Sequence, residues 1–321
     1  MAIKIYKANG FGIITGLFYG ICLRLIIGGK SSDLFSIMSV GFVFLVPLVL
    51  GVLTVAFATN STWAYCIFAP WIPILLFVLA TAVFGLEGVI CIVMALPVFL
   101  FMASLGGVLT KIFSGFKKTT RVGLFTGFLF LPLISSAIES QFALPLSQRT
   151  VPTEIIINAS PGVVWKNIIR IPHIQPQEHH DSFFHLMGFP KPVEATLSHE
   201  GIGGVRHASF EKGLLFIETI QEWQEQKKIV FSIKANTESI PPTTLDEHVT
   251  IGGAYFDMLQ GAYEIEALAP NQVRLHLSST QRLSTRFNAY TAIWTEAIMR
   301  DIQDYILVII KNRCESSVSK I

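Results

Sequence analysis

Three groups of residues in this 321-residue chain could do chemistry. The first is Glu178-His179-His180-Asp181, followed four residues later by His185, a run dense in metal-competent side chains. A zinc site needs ligands converging on one point. His179 and His180 are neighbours that point apart in either regular structure, and His180 and His185 fall on different faces of a helix. The expectation is therefore no metal but a polar loop, with the adjacent "FFHLMGF" and its Phe184 as apolar lining or lid. The second group centres on Glu218, inside the apolar run "LLFIETI". Turned inward, its carboxyl would be desolvated, its pKa would rise, and it would suit general acid or base work with His207 or His276 as partner. The third is the remaining polar residues on strand-like runs: Tyr255, Asp257, Tyr263 and Arg274. Any that face an apolar interior would fix a ligand's orientation, and any that face outward are ordinary solvated surface. His248, in "DEHVTIGG", would position a loop over such an interior.

Several chemistries are not encoded. No nucleophile elbow, phosphate loop or dinucleotide fingerprint occurs, "GIGG" and "IGG" read as turn glycines, and no cofactor is expected. No basic stripe with interleaved aromatics points to nucleic acid. Cys22, Cys66 and Cys91 lie in apolar runs and Cys314 stands alone, so no zinc or disulfide framework is spaced out.

All these candidates lie beyond position 150, where the chain changes character. Residues 1–150 carry nine Lys/Arg against three acids and no histidine, whereas the remainder carries 15 basic and 19 acidic residues with all eight histidines. The net charge of +2 is thus the sum of two unlike halves. A helix needs about 20 apolar residues to cross a bilayer core. Five runs meet or approach this: about 11–28, 34–58, 63–84, 88–109 and 122–138. The first contains Arg24, expected to snorkel to the interface, and lacks a small-x-small cleavage site. Glycines at 12, 16 and 20, and at 123 and 127, form faces where helices can pack closely. Lys111, Lys117, Lys118 and Arg121 cluster in one loop, which the positive-inside rule places in the cytoplasm. With the last run crossing, everything beyond about 140 is extracytoplasmic, on a cytoplasmic (inner) membrane.

The second half opens with "TEIIINA", a strand pattern, then Ser160 at an N-cap position and Pro161 as first helical residue. Val163, Val164, Trp165, Ile168 and Ile169 give that helix an apolar side. Strand-like runs follow at about 193–198, 205–210, 214–223, 228–235, 254–267 (interrupted near 259–261) and 273–283, separated by turn signals. The last alternates, with Val273, Leu275 and Leu277 on one side and Arg274, His276, Ser278 and Thr280 on the other. A long amphipathic helix closes the chain, its apolar positions including Tyr290, Ile293, Trp294, Ala297, Ile298, Ile302, Tyr305, Ile306 and Ile309.

Strand, then "NASPGVVW" (Asn158 to Trp165), then helix, antiparallel meander and long terminal helix resembles the START-like (SRPBCC) superfamily, which includes polyketide cyclases and lipid-transfer domains. The resemblance covers about 152–313. It implies a helix-grip fold, a curved antiparallel sheet around the terminal helix with an apolar cavity between. The expected architecture is then an α-helical transmembrane bundle of about five spans (1–140), a linker (141–151), an α+β helix-grip domain (152–313) and a tail (314–321). Within it Trp165, Phe184, Phe216, Tyr255, Tyr263, Tyr290, Trp294 and Ile298 are the expected ligand contacts. The expected partners are the lipid bilayer and a hydrophobic small molecule, with a cavity enzyme or a membrane sensor or assembly protein as alternatives.

Overall fold

The computed structural model describes residues 2–27, 36–58, 62–114, 118–180, 182–236 and 251–318, without the side chains of 2–9, 118–125 and 318. The chain divides into two compact units, Met1–Leu144 and Pro145–Ile321.

The first unit is helical: α1 (Ala2–Ile27), a π turn (Gly41–Leu45) running into α2 (Val46–Ala56), α3 (Trp63–Phe68), α4 (Trp71–Val83), α5 (Val89–Phe113) and α6 (Lys118–Glu139). In place of the five spans that hydropathy predicts, three stretches among the described residues are long and apolar enough to cross a membrane: Gly10–Ile27, Trp63–Val83 and Val89–Phe113. The other two runs give shorter apolar helices, Gly41–Ala56 and Thr126–Glu139. At 1.5 Å per residue the first of these rises only about 24 Å against a hydrocarbon core of about 30 Å. One carboxylate sets both ends. Glu139 closes α6 and accepts the free N–H groups of Val40 (2.8 Å) and Gly41 (3.0 Å), which start the other helix.

Arg24 does not snorkel. It is buried in the unit, with Nε on Glu87 Oε1 at 2.7 Å and Nη2 donating to the Leu86 carbonyl at 2.7 Å. The first glycine face is a true contact, since a Cβ on Gly12 would lie 2.5 Å from the Thr54 carbonyl oxygen. Gly51 is tighter still against the Ala103 carbonyl. Gly127, in contrast, faces open space, so that expected face packs nothing at this position.

The second unit is a seven-stranded antiparallel sheet in the order β1-β7-β6-β5-β4-β3-β2, curled into a half-barrel. Its elements are β1 (Ser147–Ile157), α7 (Pro161–Ile169), α8 (Phe183–Leu186), β2 (Pro192–Leu197), β3 (Val205–Phe210), β4 (Leu215–Gln224), β5 (Lys228–Asn236), β6 (Phe256–Ala269), β7 (Gln272–Leu283) and α9 (Asn288–Val318). Helix α9 packs across β1 and β7 and against α7 and α8, the helix-grip arrangement. β1 begins at Ser147, inside the segment that reads as a linker, because its polar residues pair with β7 from Leu283 to Val273. Pro152 is tolerated there because β1 is a sheet edge. α9 runs five residues past 313, into the segment that reads as a tail.

Ser160 occupies the N-cap position with extended backbone (φ −70°, ψ 153°). Its carbonyl accepts from Val163 and Val164, but its hydroxyl makes no cap hydrogen bond. Trp165 is buried and meets Trp223 edge-on at 4.9 Å. That contact depends on a bulge between Ile220 and Glu222, which shifts the register so that Trp223 shares the inner face with Ile220. A second bulge, between Met258 and Gln260, does the same on β6.

Candidate functional site

The concave face of the sheet is built by strand parity. β7 follows its alternation: Val273, Leu275, Leu277, Ser279, Gln281 and Leu283 are buried, while Arg274, His276, Ser278 and Thr280 are only half-buried. On β3 the inward residues are Arg206, Ala208 and Phe210, and on β4 Phe216, Glu218 and Ile220. Arg206 and Glu218 stand directly opposite in the register, and Ile233 of β5 stands opposite Glu218.

This places a charged cluster inside an apolar wall. Arg206 (3% exposed) donates from Nη1 to Glu218 Oε2 (6% exposed), and its charge also acts on the Tyr263 hydroxyl of β6. β3 and β6 are three strand spacings apart, about 14 Å in a flat sheet. The curl and two long side chains close that gap. Between them lies Phe231, its ring centroid 5.7 Å from the Arg206 guanidinium carbon. Phe231 fits because residue 261 is glycine; a Cβ there would lie 2.4 Å from Phe231 Cε2. Burial pushes the Glu218 carboxyl above its ordinary range, opposed by the Arg206 charge and hydrogen bond. Burial likewise raises the Tyr263 hydroxyl, so it stays protonated.

Glu218 is thus inward and buried, yet its partner is not a histidine. His207 is exposed and His276 lies on the convex face, where its ring sits between Glu154 (3.2 Å) and Glu266 (3.4 Å) beside Arg274. Inward Glu218 and outward His207 follow from the parity of the neighbouring strands β4 and β3, where Arg206 takes the position opposite Glu218. Arg206, one residue from His207, was missed; its signal was the alternation of "VRHASF" with inward Ala208 and Phe210.

The remaining expected contacts separate into groups. Tyr263 and Trp165 are buried in the core, and Phe216 and Ile298 are half-buried against it. Phe184 is buried on α8, edge-on to exposed Phe183. Tyr255, Tyr290 and Trp294 are half-buried and lie outside that core cluster. Asp257 is half-buried at the start of β6; His248 and Asp181 lie outside the described residues.

The histidine-rich run gathers around Tyr305 of α9. His179 Nδ1 lies 2.6 Å from the Tyr305 hydroxyl, His180 stacks on the ring at 4.1 Å, and His185 meets it edge-on at 4.5 Å. Glu178 turns away to a forked pair with Arg313 (2.6 and 2.8 Å), and Ser182 donates to Asp301. The run therefore straps the 173–189 segment onto α9. Burial is the leading cause that holds both His179 and His185 below the ordinary histidine pKa.

No family model matches the chain, and no curated protein matches it. Among solved structures, a START superfamily protein from Mycobacterium smegmatis is similar at 11% identity, covering 52% of this chain and 97% of its own, with a TM-score of 0.33. An aromatase/cyclase from a Streptomyces species matches at 12% identity over 52% and 94%, TM-score 0.32. A norcoclaurine synthase point mutant from Thalictrum flavum, in complex with a transition-state analogue, matches at 13% identity over 52% and 97%, TM-score 0.30. The START-like helix-grip fold of the second unit is given by its own strand order, curl and placement of α9.

Proposed function

We propose that the second unit binds a lipid or other apolar small molecule against the concave face of its sheet, and that the helical unit anchors it to a bilayer. One observation carries this reading. α9 closes the inner face over β1 and β7, while inward apolar residues toward the β5–β6 end, namely Phe216, Ile233, Ala235 and Phe256, with Ile298 of α9, stay half-buried against the core. Apolar surface left accessible forgoes about 25 cal/mol per Å², which a greasy guest would recover. Anchoring through the helical unit keeps the domain at a bilayer, where lipophilic molecules concentrate.

An enzyme built on a Glu218–histidine pair is the weaker reading, because Arg206 occupies the carboxylate and both candidate histidines lie outside the interior. Native mass spectrometry of the detergent-purified full chain tests binding. A co-purifying apolar mass is expected; folded protein that carries none and takes up no added lipid would overturn the reading.

The proposed side of the membrane is extracytoplasmic, supported by the basic cluster at Lys111, Lys117, Lys118 and Arg121. It requires α6 to cross, and α6 has 22 residues, about 33 Å of helix. Cysteines placed at exposed Ile202 and Ser114 report the sides. An impermeant maleimide applied to intact cells should label Ile202→Cys and spare Ser114→Cys; the reverse pattern would put the domain in the cytoplasm.

A further inference from the structure

We propose that the stretch from His179 to Phe189 is a flap on α9 that mild acid releases. Both of its flanks are tied down. On the near side Ile174 N–H donates to the Val193 carbonyl at 2.8 Å, and Glu178 is forked onto Arg313. On the far side Glu211 N–H donates to the Lys191 carbonyl (2.8 Å), and Lys191 N–H to Glu211 Oε2 (3.1 Å). Gly188, at φ 98°, makes the turn toward that second anchor, and its carbonyl accepts from Lys212 Nζ at 3.0 Å. Beneath the flap lie Phe184, which is its own buried residue, and Tyr305, which belongs to the core of the second unit.

The flap closes on one ring. His179 bonds the Tyr305 hydroxyl, His180 stacks on the ring and His185 meets its edge. His185 is the sensitive member. It is 7% exposed, and Nδ1 donates to the Phe189 carbonyl at 3.0 Å, which leaves Nε2 as the bare nitrogen of the neutral ring. That nitrogen is buried and has no partner among the described residues. Protonated, it becomes an unmatched N–H on a buried cation, which is far more costly than a bare lone pair. The surrounding charges do not offset this. α9 presents Asp301, which accepts from Ser182, and Arg313, which is held by Glu178, while Arg300 and Asp304 are exposed. For His185, burial outweighs Asp301 and Glu211, which favour the charged ring, and Lys191 adds to the opposition. For His179, burial with Lys191 and His173 outweighs Glu211 and Glu178. Both rings are thus held below the ordinary histidine value, and the closed flap binds fewer protons than the open one. Closure is complete above about pH 7 and weakens as pH falls through about 6.5, the value of a solvated histidine. A ring kept neutral while closed raises the opening constant up to about tenfold between pH 7.5 and 5.5. Release needs no guest, so the binding reading can fail without it.

Hydrogen exchange of the full chain in detergent, read by mass spectrometry at pH 7.5 and 5.5, measures the opening once exchange times are scaled for the slower intrinsic chemistry in acid. The reporting amides are Leu186, Met187, Gly188 and Phe189, bonded to the carbonyls of Ser182, Phe183, His185 and Phe184. A single helical turn does not persist once its packing is gone, so these amides exchange when the flap lifts. Their protection should fall up to about tenfold at pH 5.5, while the amides of β7 stay protected. The double variant His179→Gln with His185→Gln is neutral at both pH values and should show equal flap protection at both. Wild-type protection that does not change with pH would overturn the flap. So would an equal loss in β7, which is unfolding of the whole unit, or a double variant that still responds. Should the double variant leave β7 unprotected at pH 7.5, His185→Gln alone decides: it should lose most of the response, and an undiminished one refutes the assignment.

Discussion

The Arg206–Glu218 pair makes a sharp thermodynamic prediction, because its members are expected to be costly apart and nearly dispensable together. Both are almost fully buried, and they face each other across β3 and β4. Removing one partner leaves a charge with neither water nor counter-ion, so Arg206→Met or Glu218→Leu alone should cost about 3–5 kcal/mol. Replacing both by apolar residues of similar volume should fall within about 1 kcal/mol of wild type, or stabilise, since the desolvation of two ions is avoided. The coupling energy in the cycle is then several kcal/mol, outside the range of independent sites. Urea unfolding of the full chain in mild detergent, followed by tryptophan fluorescence from the Trp165–Trp223 pair, reads all three variants. The pH dependence gives an internal check. In Arg206→Met the influence that lowers the Glu218 pKa is gone while burial still raises it. A carboxyl whose folded pKa lies above its unfolded value binds protons preferentially when folded, so the deficit of this variant should shrink as pH falls from 7 toward 5. Two single variants that each cost less than about 1 kcal/mol and simply add would refute the buried-pair argument.

Other consequences are as definite. Gly261→Ala should cost about 1–3 kcal/mol, because its Cβ would meet Phe231 Cε2 at 2.4 Å, and Phe231→Leu in the same chain should recover part of that loss in the same unfolding assay. His179 and His185 are held below 6.5 by burial, so the unfolded chain takes up more protons near that pH. Their contribution to stability is complete above about pH 7 and declines below the unfolded value of about 6.5; denaturation midpoints measured from pH 8 to 5 should fall, with a shallower slope in His185→Gln. Cys314 is fully buried, with its thiol pushed up to about 12. It should resist maleimide at pH 7.5 in folded protein and react after denaturation, as quantified by mass spectrometry.

Several features were legible in the residues because local patterns specify them. The step from apolar runs to a strand–Ser-Pro–helix start marks where the second unit begins, give or take the first strand residues. Alternation on β7 is strict because one face is core and the other water, and any one-residue slip would bury Arg274 and His276. Inward burial of Glu218 could be read from its apolar neighbours for the same reason.

What sequence alone determined is the order of elements and the two unlike halves, consequences of hydrophobic period and turn chemistry acting over short range, while the helix-grip class followed from the family resemblance those elements carry. Tertiary structure decided the rest. Trp223 and Tyr263 reach the inner face only because bulges reset strand parity, which a period count cannot register. On α9 the apolar stripe misleads at its start: Ile293 is exposed, while Thr291, Thr295 and Gln303 are buried. Thr295 and Gln303 face inward because the sheet supplies partners, Gln281 for Thr295 and Ser279, Thr153 and the Val151 carbonyl for Gln303. Likewise the counter-ion of Glu218 is an arginine on the next strand, chosen by register. Partners of buried polar groups come from distant parts of the chain, and the energy that decides their placement exists only once the fold has brought them together.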